Sequence, residues 1–103
     1  MQIQTMLNHD NVVVTSLAVP LLCDQFRRFL GHVPPMVRAK HDPTATGQMH
    51  MCFKPAHCRT EEDEVVQDAN GLQILWNPHK DSALAGTVVD ADATANKLVF
   101  LYP

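Results

Sequence analysis

His50, Cys52, His57 and Cys58 form the densest set of metal-capable side chains in this sequence. Alternate residues of an extended strand share a face, so His50 and Cys52 point the same way, and His57 and Cys58 follow within a turn. Thiolate and imidazole donors of this kind suit zinc or iron. His50-x-Cys52 followed by adjacent His57-Cys58 matches no established zinc spacing, however, and a buried cysteine commonly behaves as a small hydrophobe. The sequence therefore predicts no metal site and no cofactor. A mononuclear iron or zinc ion held by His50, Cys52, His57 and Cys58 is the alternative. Cys23 falls in a helical pattern remote from the others and reads as core or boundary.

Asp90 and Asp92 share a strand face, as paired catalytic carboxylates would, but no neighbouring acid, base or nucleophile accompanies them. The acidic run Glu61-Glu62-Asp63-Glu64 reads as a solvated loop. No Gly-rich phosphate loop is present, nor an activated serine arrangement, nor a Cys-His pair with a third orienting group. Nothing here supports an enzyme.

The chain that must position these residues has 103 residues, 46% of them apolar and 18% charged, with a net charge of −3. That length suits one domain spanning 1–103, since domains run from about 50 to 250 residues. Lys and Arg are scattered and not interleaved with aromatics, which argues against nucleic acid. No stretch approaches the roughly 20 apolar residues that cross a bilayer, and the polar first ten residues do not form a secretory signal. An odd number of cysteines argues against a disulfide framework. The expectation is a cytoplasmic protein that engages neither nucleic acid nor membrane.

Asn11 to Thr15, with three consecutive valines, reads as a strand. Thr15 or Ser16 then caps a long helix whose apolar face carries Leu17, Leu21, Leu22, Phe26, Phe29 and Leu30, with Gly31 ending it. Met36–His41 and Gln48–Phe53 form a hairpin pattern across the turn-forming residues 42–47. Glu64-Val65-Val66 leads through Asn70-Gly71, a tight-turn signal, into Leu72–Trp76. Asn77 as cap and Pro78 at the first helical position predict a short helix ending near Gly86. Thr87–Asp90 and Lys97–Tyr102 close the chain as a strand pair. The aromatic residues Trp76, Phe26, Phe29, Phe53, Phe100 and Tyr102 are read as core. Met36, Met49 and Met51 are read as core fillers, with an adaptable interaction surface as the alternative. The expectation is an α+β fold of six or seven strands with one long and one short helix.

The co-linear set Glu62-Asp63-Glu64-Val65-Val66, Asn70-Gly71, Leu84-Ala85-Gly86-Thr87-Val88-Val89-Asp90 and Phe100 with Pro103 resembles the latter half of the A-type iron-sulfur carriers, the IscA, SufA and HesB proteins. The stretch Gly71 to Asp90 follows that pattern without a gap, and Val37-Arg38 stands where the family carries Leu-Arg. The resemblance implies a HesB-like, compact β-sandwich-type domain. It also implies cluster ligands: one cysteine in a Gly-Cys-Ser-Gly-like loop and two in a C-terminal Cys-Gly-Cys. Here that loop reads Pro43-Thr44-Ala45-Thr46, and the Cys-Gly-Cys segment would begin near Pro103, so all three ligands are expected to be missing. Ligand-free relatives of this kind accompany sulfur-oxidation systems. The implied function is a non-enzymatic interaction or regulatory protein with an unidentified protein partner, linked to sulfur oxidation or iron-sulfur protein maturation.

Overall fold

The computed structural model describes residues 11–42 and 51–103. In chain order these form β1 (Val13–Val14), α1 (Ala18–Leu30), β2 (Met36–His41), β3 (Met51–Pro55), β4 (Glu64–Ala69), β5 (Leu72–Trp76), a 3₁₀ turn (Ser82–Leu84), β6 (Val88–Asp92) and β7 (Lys97–Leu101). The strands make two sheets, one ordered β1-β6-β7 and the other β3-β2-β5-β4. The α+β class and seven strands agree with the sequence reading. Between the sheets and α1 lies one cluster of buried residues that includes Val14, Leu22, Val37, Ile74, Trp76 and Val89.

α1 begins differently from expectation. Leu17 holds the cap position without a side-chain bond, and the backbone carbonyls of Thr15 and Ser16 accept from Ala18 and Val19 at 3.0 and 3.4 Å. The Thr15 hydroxyl instead donates to Asp90 Oδ1 at 2.7 Å, tying the chain after β1 to β6. Pro20 is the third helical residue, where the missing amide would have had no intrahelical partner. Gly31 ends the helix at φ 81°, its amide bonded to the Arg27 carbonyl at 2.9 Å. The buried stripe is Ala18, Val19, Leu22, Cys23 and Phe26. Leu17, Phe29 and Leu30 stand outside it, Phe29 at 82% exposure. The last turn of α1 flanks an open groove instead of packing on a sheet, which corrects the reading of Phe29 as core. Tyr102 is exposed as well.

The short second helix is shorter than expected. Asn77 does cap the turn, its Oδ1 accepting from the amides of His79 and Lys80 at 2.9 and 3.0 Å. Helical geometry is then broken at Asp81 (φ −120°, ψ 46°). There the carboxylate accepts from the His41 amide at 3.0 Å, and the carbonyl accepts from Trp76 Nε1 at 3.0 Å. Only Ser82–Leu84 continue, as one 3₁₀ turn.

Register fixes which side chains share a face. Ala69 pairs with Leu72 around Asn70-Gly71, whose φ values of 57° and 76° make the primed turn that matches strand twist. Gly71→Ala should lower stability by about 1 kcal/mol, since an L side chain is strained at this φ. A urea midpoint unchanged from the parent would contradict that account. Beside a bulge between Val65 and Gln67, the Gln67 side-chain Nε2 donates to the Val14 carbonyl at 2.8 Å, which links the two sheets.

β3 is an edge strand, and its hydrogen-bond phase can be read directly. The Met51 amide donates to Tyr102 Oη at 3.1 Å and so faces away from β2, while the Ala56 amide reaches the Met36 carbonyl at 2.9 Å. Antiparallel alternation then turns the amide and carbonyl of Phe53 outward as well. Pro55 occupies the next outward position, where its missing N–H costs no ladder bond.

Candidate functional site

Direct pairing of Arg38 with Lys54 and of Lys40 with Cys52 places these four side chains on the face of the four-stranded sheet opposite the core. Cys52 is half-buried there. Burial pushes its thiol up, with Lys54 opposing and Asp42 and Asp81 reinforcing the shift, so at neutral pH it stays protonated. His57 and Cys58 are exposed in the loop after β3. His50 lies outside the described residues, as does the loop containing Ala45. Among the described residues, no group of three or more His, Cys, Asp or Glu side chains is placed to hold a metal ion.

The same sheet face carries a charge pair that sequence reasoning missed. Asp63 has no solvent-exposed side-chain surface. Arg38 grips it with two bonds, Nε to Oδ1 at 2.8 Å and Nη2 to Oδ2 at 2.6 Å. Thr60 adds its amide at 2.8 Å and its hydroxyl at 3.0 Å. The Arg38 bond, followed by those from Thr60, holds the Asp63 carboxyl down at about 2, outweighing the opposing effect of burial. Arg38 Nη2 also donates to the Cys58 carbonyl at 2.9 Å, so this pair pins the loop carrying His57 and Cys58 to β2. The acidic run is therefore not uniformly solvated: its third member is an anchor. One sequence signal for this was Arg38 itself, a charged residue between buried Val37 and Ala39.

Asp81, Asp90 and Asp92 are held in structural contacts. Asp81 is buried, and its Oδ2 lies 3.9 Å from Lys40 Nζ without a hydrogen bond among the described residues. Asp90 is held below the usual carboxylate range by the Thr15 hydroxyl and then by the Ala91 amide. Asp92 Oδ1 accepts from the amides of Thr94 and Ala95 at 3.0 and 3.1 Å, closing the β6–β7 turn. Asp90 and Asp92 are thus each occupied by local backbone and strand contacts.

An apolar groove of about 450 Å³ lies between the last turns of α1 and strands β3 and β7. Leu22, Phe26, Phe29, Met51, Phe53 and Phe100 supply its walls, and Lys54 of β3 is also among its lining residues. Sequence reasoning treated these aromatics as interior. No helix among the described residues is long and apolar enough to cross a membrane.

Two sheets ordered β1-β6-β7 and β3-β2-β5-β4, with one helix packed against them, define an IscA-like fold. Among solved structures, the chain is similar to the crystal structure of IscA with the [2Fe-2S] cluster, with a TM-score of 0.60. The match covers 90% of this chain and 86% of that one at 18% identity. No protein-family model and no curated protein matches the sequence.

Proposed function

We propose that this chain is a single-domain, non-enzymatic interaction or regulatory protein of the cytoplasm, built on the carrier scaffold without the carrier's cluster chemistry. One observation supports it above others: the cysteines stand apart from the family ligand positions. Cys23 is buried in α1, Cys52 sits on β3 and Cys58 lies in the following loop, whereas the stretch 43–47 contains none. Soft cluster iron requires thiolates converging from such a stretch. In this reading the chain acts as DsrR does, the ligand-free relative encoded with the sulfur-oxidation system, and serves either that pathway or iron-sulfur protein maturation through a protein partner.

Anaerobic reconstitution with ferrous iron and sulfide tests this. The expected result is no stoichiometric cluster chromophore after desalting. A stable chromophore would overturn the reading. Stoichiometric iron or zinc without sulfide, lost in the Cys52→Ser, Cys58→Ser double variant, would instead support the mononuclear carrier with His50 and His57 completing the site.

A further inference from the structure

The groove beside α1 is bordered by charges of one sign. Lys54 is among the lining residues on edge strand β3, its side chain on the outer face of that sheet. On the other side, Gln25 also lines an adjoining polar hollow of about 230 Å³ that contains Arg28 and Lys97. None of these three cations has an ion-pair partner among the described residues. Asp24, the one acid in that hollow, is engaged by Arg27 at 2.9 Å. The border is therefore positive although the chain carries −3 overall.

The floor and the edge add two further requirements. Phe29, on the groove wall, is 82% exposed, an exposure of a large apolar group that marks contact surfaces. Phe53 presents an outward amide and carbonyl that no described residue engages, enough to form one hydrogen-bonded pair with an incoming strand. Pro55 stops such pairing from running on. A second copy docking face to face would bring Arg28 and Lys97 of both copies onto one shared interface, which like-charge repulsion disfavours.

We propose that this groove receives an extended acidic segment of a protein partner. Its apolar side chains sit among Phe26, Phe29, Phe53 and Phe100, and its carboxylates face Arg28 and Lys97 in the adjoining hollow. The proposal rests on the reading of the chain as an interaction protein and names the chemistry of the partner.

Fluorescence anisotropy on iron-free protein, using a labelled peptide in which Val, Phe and Leu alternate with Glu, provides the test. Saturable binding is expected, weakened about tenfold or more by Arg28→Glu with Lys97→Glu, and similarly by Phe29→Ser. All three side chains are exposed, so circular dichroism and urea midpoints of the variants should match the parent. A peptide with Lys in place of Glu should not bind. Absence of binding, equal binding of the Lys peptide, or indifference to these substitutions would overturn the proposal. So would Phe29-dependent co-sedimentation with phosphatidylglycerol vesicles in place of peptide binding, or Phe29-dependent self-association. A cluster gained on reconstitution would defeat the functional reading while leaving this measurement intact, so the two failures are distinguishable.

Discussion

Asp63→Ala should destabilise the protein by about 3 kcal/mol, because it leaves the Arg38 guanidinium on the sheet face without its carboxylate. The loss is larger than for a surface ion pair since Asp63 is fully covered and accepts from Arg38 and Thr60 together. Asp63→Asn keeps shape and some acceptor capacity and should cost less, about 2 kcal/mol. A carboxyl held at about 2 in the fold, against about 3.9 when unfolded, contributes about 2 kcal/mol at neutral pH. Because the folded value is depressed, that contribution is fully present above about pH 4. It disappears as pH falls toward about 2. Urea unfolding across this window should show an acid-side loss of stability in the parent that is shallower in Asp63→Asn. Parallel pH profiles for the two proteins would refute the assignment. In either variant the loop bearing Cys58 should also loosen, visible as faster reaction of a thiol reagent with Cys58.

Trp76→Ala should cost about 3–5 kcal/mol, the range for removing a fully buried aromatic. Trp76 is 1% exposed and sits opposite Ala39 at the end of the parallel β2–β5 pairing. Its Nε1–H donates to the Asp81 carbonyl, and the Asp81 carboxylate in turn accepts from the His41 amide. The substitution therefore opens a cavity and unhooks the 77–84 segment from the end of β2. Trp76→Phe separates the two effects: most of the packing remains, while the Asp81 carbonyl loses its partner at about 1–2 kcal/mol. Equal urea midpoints for Trp76→Phe and Trp76→Ala would show that the indole bond, not the packing, dominates.

How far the sequence alone reached depends on the range of the interaction involved. Strand existence, the Asn70-Gly71 turn and the Gly31 stop are set by backbone preferences within a few residues, and these were legible. The cap of α1 was not, because the Thr15 hydroxyl bonds a residue far along the chain, Asp90, in preference to the local amides. Asp63 looked solvated for the same reason: its partner Arg38 lies on another strand, and no local pattern distinguishes it from Glu62 or Glu64. Phe29 was misassigned because helical periodicity identifies a face but not where the partnering sheet ends.

What the sequence determined by itself was a set of chemical absences and local shapes: no cysteine at 43–47, an acidic run, an amphipathic helix, alternating strands. Tertiary structure decided which acid of the run is buried, which aromatics remain exposed, and that Arg28 and Lys97 line a hollow adjoining the apolar groove. The physical reason is that burial and charge pairing are properties of surfaces brought together. Only the register of β2 against β3 and the seating of α1 beside β7 bring these surfaces into contact.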